Sequence, residues 1–234
     1  MKVGNSRMQA FYKSLGFDAP VPVELPERGA PLYPSPWRDI TTLTTSFGHG
    51  IAVSPLHVLR ATAGLVNGGM MPAPTLVLRD TAETPAATRI VSESTSRHLR
   101  QLMELVVAAG TGNNAYVEGY NVGGKTGTAE KNQNGRYNQK ALLSSFLGAF
   151  PINNPRYVVL AIMDEPHGLK ETGGYATGGW TAAPVVARVI EQMAPLYQME
   201  PDTRRGRKDI AAEMAPYLKE TKTGGALAAV GTDR

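Results

Sequence analysis

Gly119-Tyr120-Asn121-Val122-Gly123-Gly124-Lys125-Thr126-Gly127-Thr128 is the stretch on which the reading of this chain turns, because two incompatible structures can be built from it. Gly119, four intervening residues and Gly124-Lys125-Thr126 meet the spacing of a phosphate-binding loop, whose backbone N–H groups cradle a nucleotide phosphate. That loop needs a buried strand before its glycines and a helix directly after its threonine. Residues 115–119 hold no buried strand, and residues 128–138 contain Asn132, Asn134 and Gly135 and no apolar helical face. The other reading is a strand that edges a cleft. Side chains alternate along a strand, so Thr126 and Thr128 share a face with Gly127 between them. Both hydroxyls then face the cleft, where they can bind a carboxylate.

Working outward, the flanking patterns favour the strand. Residues 119–130 and 142–150 read as two strands joined by a polar turn with Asn132, Asn134 and Gly135. Residues 157–163, Tyr-Val-Val-Leu-Ala-Ile-Met, form a continuous apolar run expected to be a strand buried on both faces. Three adjacent antiparallel strands follow. Upstream, Met8, Phe11, Tyr12 and Leu15 mark a helix over 5–15 closed by Gly16. Residues 18–46 are rich in proline and are expected to be a long loop. Ser54 and Pro55 start a second helix with Leu56, Leu59, Ala63 and Val66 on one face. A third, Glu93–Ala109, is expected to bury Leu99, Leu102, Met103, Val106 and Val107 and to end at Gly110. A Gly-rich loop, from Gly168 to Gly179, leads to a helix over 181–193 with Val185, Val186, Val189 and Ile190 inward. From residue 200 the chain is expected to be a mostly disordered tail, with a transient helix near 210–218.

Composition sets the outer limits. The chain has 234 residues, 42% of them hydrophobic, and a net charge of +4, enough for a packed core and too apolar for wholesale disorder. Its 24 basic and 20 acidic residues are scattered, without the dense cationic face that nucleic-acid binding requires. The run at 157–163 is far too short to span a membrane, and no apolar segment follows the first residues as a secretory leader would. Without cysteine there is no disulfide, thiolate metal site or thiol nucleophile. His49, His57, His98 and His167 share no metal-ligand spacing and are expected to be solvated or at the core edge. Asp164-Glu165 point to opposite faces if extended and make a poor acid–base pair. The charge run Arg204-Arg205-Gly206-Arg207-Lys208 is expected to be solvated.

The glycine and threonine motifs acquire meaning from their order. Thr45-Ser46-Phe47-Gly48-His49-Gly50-Ile51-Ala52-Val53-Ser54-Pro55-Leu56, Asn67-Gly68-Gly69, Gly123-Gly124-Lys125-Thr126-Gly127-Thr128-Ala129-Glu130 and Phe150-Pro151 occur in sequence. Over residues 3–194 this resembles the C-terminal half of the transpeptidase domain of class B penicillin-binding proteins, especially the septal, cell-division type. Lys-Thr-Gly is one of the defining elements of penicillin-recognising serine acyltransferases. The resemblance implies an α/β fold of the serine β-lactamase/transpeptidase type, an antiparallel sheet flanked by helices, with three C-terminal strands in this chain. Residues 1–199 would be the C-terminal portion of that domain and 200–234 the tail.

The same resemblance implies acyl transfer from peptidoglycan stem peptides ending in D-Ala-D-Ala, with β-lactams acylating the same serine. Lys125 would place a positive charge beside the nucleophile's hydrogen-bond network, and Thr126 and Thr128 would hold a substrate carboxylate. Gly127 would let the acyl group lie against the backbone, and the Thr128 N–H would be an oxyanion donor. No cofactor or metal is implied. The setting would be the periplasmic side of the bacterial inner membrane, with divisome membrane proteins as partners.

The family mechanism also needs Ser-x-x-Lys and Ser-x-Asn. No serine in this sequence has lysine three positions on or asparagine two positions on. Both motifs precede the matching region in the family. The chain is therefore expected to carry the substrate-binding wall without the nucleophile, to need the N-terminal part of the same domain as partner, and to be inactive alone. A non-catalytic binding or scaffold module that retains this wall is the alternative.

Overall fold

The computed structural model describes residues 3–78, 85–133 and 136–215. Its centre is an antiparallel sheet in the order β3-β4-β5, formed by Gly123–Gln133, Arg136–Phe150 and Tyr157–Asp164. The strand reading of Lys125–Thr128 holds: Lys125 pairs with Leu147, Thr126 with Phe146, Gly127 with Ser145 and Thr128 with Ser144. No helix begins at Thr126, so the phosphate-loop reading fails. The pairing runs on through a bulge between Glu130 and Lys131 to Gln133–Arg136, and the turn residues Asn134 and Gly135 lie outside the described residues.

One face of this sheet is well covered. Ser144, Phe146, Gly148 and Phe150, alternating along β4, are all buried beneath α5 (Gly178–Thr181) and α6 (Ala183–Leu196). Helix α6 buries Ala183, Val186, Ala187, Ile190 and Ala194, while Val185 and Val189 are only half-buried. The small alanines bring its backbone close to the sheet, so close that a Cβ on Gly148 would stand 2.8 Å from Val186 Cγ1. Phe146 is fully buried at the middle of this cluster. Burying a side chain of that size contributes about 1.5–3 kcal/mol.

The opposite face is covered only in part, by α3 (Pro55–Val66) and α4 (Glu93–Ala109). Val66 joins Ala149 and Ile152 in a second small core cluster. Ser92 caps α4 by accepting from the Thr95 N–H at 3.1 Å. The expected stripe on α4 is a correction: Val107 is buried, but Leu99, Met103 and Val106 are half-buried and Leu102 is 54% exposed. With Thr62, Leu65, Lys125 and Leu147 these side chains line an open, almost wholly apolar cavity of about 420 Å³. Helix α3 likewise buries His57, Ala61, Thr62, Gly64 and Val66, whereas Leu56, Leu59 and Ala63 of its expected face are half-buried.

A second correction concerns β5. No residue of it is fully buried, and Ile162 is 40% exposed, so this apolar strand is not enclosed on both faces. It lies at the sheet margin, with no further strand beside it among the described residues. A third lies among the prolines. The 18–46 segment contains a helix, α2 (Asp39–Thr45), whose threonines carry no apolar period. Tertiary contacts build it: Trp37 Nε1 donates to Thr42 Oγ1 at 2.7 Å, and Asn5 of α1 (Asn5–Ser14) accepts from the same hydroxyl at 2.6 Å. Tyr12 meanwhile donates to the Thr45 carbonyl at 2.7 Å. A two-stranded ribbon, β1 (Met70–Met71) with β2 (Thr88–Arg89), completes the small elements. Among the described residues beyond 200, Arg207–Met214 form a helix, α7, with Ile210 buried; residues 216–234, most of the expected tail, lie outside the described residues.

An exposed apolar edge is a template for intermolecular pairing. The 234-residue chain alone is expected to self-associate at micromolar concentration in light scattering coupled to size exclusion, and Ile162→Lys to reduce this. A monodisperse wild-type monomer contradicts the expectation.

Candidate functional site

The site is assembled on β3, which has no strand on its outer side among the described residues. Strand alternation places Lys125 and Gly127 on the α3/α4 face and Thr126 and Thr128 on the α5/α6 face. Lys125 is exposed, its ammonium donates to the Thr126 carbonyl at 2.8 Å, and its stem borders the apolar cavity. A cation at the rim of a greasy groove has its charge in water and its methylenes against Leu147.

The threonine hydroxyls are not simply open to a cleft, as alternation alone suggested. Thr126 Oγ1 lies 2.9 Å from Thr111 Oγ1, and Thr128 Oγ1 accepts from the Gly178 N–H at 3.1 Å. In a hydroxyl pair only one proton is spent, so Thr111–Thr126 retains one O–H to donate; Thr128, acting there as acceptor, retains its own. Two donors on one strand face suit a carboxylate.

Two residues in this arrangement were not singled out from sequence as site residues, Thr111 and Asn114, whereas Gly178 belongs to the Gly-rich loop expected before α6. Asn114 Nδ2 donates to the Gly179 carbonyl at 2.9 Å, and Ser144 Oγ donates to the Ala176 carbonyl at 2.6 Å. Together these fasten residues 176–179 over β3 and β4. Gly178 marks the closest approach: a Cβ there would lie 2.1 Å from the Ser145 carbonyl oxygen and 2.6 Å from that of Gly127. At Gly179 it would lie 2.2 Å from the Thr111 carbonyl oxygen. Paired glycines before a helix were the available sequence signal. Beside them Tyr175 and Trp180 stack at 5.8 Å, both partly exposed.

The lesser candidates settle elsewhere. His57 is buried away from β3. Its Nδ1 takes the Ser54 N–H at 3.2 Å and its Nε2 meets the Ala19 carbonyl at 2.8 Å, which ties the start of α3 to the N-terminal segment. Asp164 and Glu165 do not point apart: both reach Lys131 Nζ, at 2.8 and 2.9 Å, because Glu165 leaves the strand with a φ of 50°. Their hydrogen bonds hold the Lys131 ammonium above its ordinary range. No group of three or more metal-ligating side chains occurs among the described residues.

Gly178→Ala is expected to push α5 off the strand at a cost of about 1–3 kcal/mol. A thermal scan should show Tm lowered by several degrees. Gly29→Ala, where a Cβ meets nothing within 4 Å, should be near neutral. Equal effects at the two positions contradict the close-approach account.

Comparison with known proteins follows the same geometry. A family model described as penicillin binding protein transpeptidase domain matches residues 1–191. A probable peptidoglycan D,D-transpeptidase FtsI from Caulobacter vibrioides is 41% identical over 203 residues, covering 83% of this chain and 34% of that protein. The stage V sporulation protein D of Bacillus subtilis is 34% identical over 212 residues, covering 86% and 32%. Among solved structures, the transpeptidase domain of Burkholderia pseudomallei penicillin-binding protein 3 superposes with a TM-score of 0.75 at 34% identity. That match covers 84% of this chain and 59% of the other. Penicillin-binding protein 3 of Mycobacterium tuberculosis, solved with ampicillin, gives 0.78 at 25% identity, covering 88% and 49%. The chain spans about a third of the length of the curated relatives it matches.

Proposed function

The chain belongs to the penicillin-binding protein transpeptidase domain family, and from that premise we propose that it forms the substrate-binding wall of a serine D,D-transpeptidase that cross-links peptidoglycan. The observation that carries the reading is the extended Lys125–Thr128 segment on the outer strand of the sheet, with a cation on one side and two hydroxyl donors on the other.

In this reading a serine from outside these 234 residues attacks the penultimate carbonyl of a D-Ala-D-Ala stem peptide and expels the terminal D-alanine. An amine of a second stem then takes the acyl group and frees the serine. Lys125 supplies fixed positive charge near the attacking serine's hydrogen-bond network. The remaining hydroxyl protons of the Thr111–Thr126 pair and of Thr128 hold the terminal carboxylate. The N–H of Thr128 receives the oxyanion, and Gly127 keeps the acyl donor's path along the backbone clear. A β-lactam, with its carboxylate and strained carbonyl, fits the same groups; ampicillin and aztreonam complexes are known for the mycobacterial neighbour.

The apolar cavity between α3, α4 and Leu147 supports the partner assignment. Its lining is nearly devoid of polar surface and Lys125 stands at its rim, which suits an apolar helix that presents a serine and a lysine toward Lys125. That helix is assigned to the N-terminal part of the same domain. By the same reading the domain works on the periplasmic side of the inner membrane, among cell-division membrane proteins. The alternative, a non-catalytic binding or scaffold module that keeps the same wall, differs in predicting no covalent labelling of the longer polypeptide.

Covalent labelling by a fluorescent penicillin tests this. The chain alone should take no label. A polypeptide that also contains the Ser-x-x-Lys and Ser-x-Asn segments should be labelled, and Lys125→Ala should slow its acylation at least about tenfold, as loss of one electrostatic contact of about 1.4 kcal/mol or more would. Labelling of the chain alone, or indifference to Lys125→Ala, contradicts it.

A further inference from the structure

The family match ends at residue 191, and the chain beyond it packs onto the back of the site through a set of specific contacts. Met199 is buried in the same core cluster as Val107, Ala115, Val122 and Ile190. The Asp202 N–H donates to the Gly119 carbonyl at 2.7 Å, and Pro201 lies so close that a Cβ on Gly119 would stand 2.6 Å from its Cβ. The charge run expected to be solvated is largely engaged. Arg205 Nη1 donates to Glu104 Oε1 at 2.6 Å and its other nitrogens bind Glu213 of α7. Arg207 sits over the Tyr116 ring at 4.4 Å and donates to the Asn113 carbonyl at 3.1 Å. Arg204 is the exception: its side chain reaches Asp202 and holds that carboxyl at about 2.

The polar and ring contacts that leave this segment for the rest of the fold meet α4 or the connection from α4 to β3, at Glu104, Asn113, Tyr116 and Gly119. The front of that connection touches the site, through Thr111 to the Thr126 hydroxyl and through Asn114 to Gly179. Glu104 is an unusual occupant of a buried helix position, 6% exposed, and burial pushes its carboxyl up while Arg205 opposes the shift. Its partner arrives from 101 residues further along the chain.

We propose that residues 199–214 form a clamp on the back of the α4–β3 connection, with Arg205 and Arg207 as positioning residues that set the Thr111–Thr126 hydroxyl pair. The purpose of the clamp rests on the reading of Thr126 as a carboxylate ligand; its physical action does not. Arg205 fixes α7 to α4 through a half-buried, charge-assisted hydrogen bond to the buried Glu104 carboxylate. Arg207 then fixes the turn at Asn113–Ala115 through its ring contact and a carbonyl. With both in place Thr111 is held against β3.

Amide hydrogen exchange on the full 234-residue chain tests the clamp without recourse to acyl transfer. Arg205→Ala and Arg207→Ala should each speed exchange at 111–119 and 125–128 about tenfold, while Arg204→Ala leaves these segments within about twofold of wild type. Arg207→Lys, which keeps a cation over Tyr116, should restore most of the protection. In a Thr111→Val background, Arg207→Ala should still loosen 111–119 but add much less at 125–128, because the direct link to Thr126 is gone and only the indirect one through Asn114 and Gly179 remains. Arg205→Ala strands a buried carboxylate, and should it prevent folding, the Arg207 pair decides. Acceleration confined to α7, or an undiminished effect at 125–128 in the Thr111→Val background, overturns the clamp. Failure of penicillin labelling in the complete domain, with these exchange results intact, would instead overturn only the assignment of Thr126.

Discussion

The constraint on which the rest depends is a close approach of backbones. At Gly178 and Gly179 the chain comes nearer to the carbonyls of Ser145, Gly127 and Thr111 than any side chain would permit. This contact brings α5 against the sheet and lets α6 bury Phe146 and Phe150 beneath its alanines. It also places the Gly178 N–H on the Thr128 hydroxyl. Core packing and site geometry are therefore consequences of the same contact. A bulkier residue at either glycine would separate α5 from β3 and disturb both.

The sheet that results has two unlike faces. Beneath α5 and α6 it is closed and densely packed; beneath α3 and α4 it leaves an apolar cavity with Lys125 at the rim. The asymmetry bears on function because β3 lies between the two regimes. Its hydroxyls are pre-set by hydrogen bonds on the packed side, which lowers the entropy lost when they bind a ligand. Its cation stands on the side that another apolar element would complete. An arrangement of this kind, a closed, hydrogen-bonded strand face beside an open apolar groove, is what the proposed division of labour between this chain and a serine-bearing segment requires.

What could be read from the sequence was whatever depends on local chemistry. Ser54-Pro55 announced the start of α3 and Gly110 the end of α4 because capping is decided within one turn, and the three strands were legible from their period and their turns. What could not be read was burial. Leu102 and Ile162 look like core residues in any window, but exposure depends on whether a neighbour exists, which no window contains. Helix α2 was hidden because its threonines are recruited by Asn5 and Trp37 rather than by an apolar stripe. The candidate site was half legible: Lys125, Thr126, Gly127 and Thr128 form a contiguous motif, whereas Thr111 and Gly178 reach it from 15 and 50 residues away, and Asn114 holds Gly179 across 65, along hydrogen bonds that only the fold creates. Glu104 and Arg205 are the extreme case, a buried carboxylate in an amphipathic helix whose partner lies in what reads as a solvated charge run.

Where an acyl donor lies relative to four residues of β3 decides the role of this chain. The most direct measurement is a crystal structure of the complete domain acylated by a penicillin. The acyl carbonyl oxygen is expected at hydrogen-bond distance from the Thr128 backbone nitrogen, roughly 2.7–3.1 Å, with the antibiotic carboxylate on the hydroxyls of Thr126 and Thr128. An adduct whose carbonyl and carboxylate are held by other groups, with β3 untouched, would contradict it.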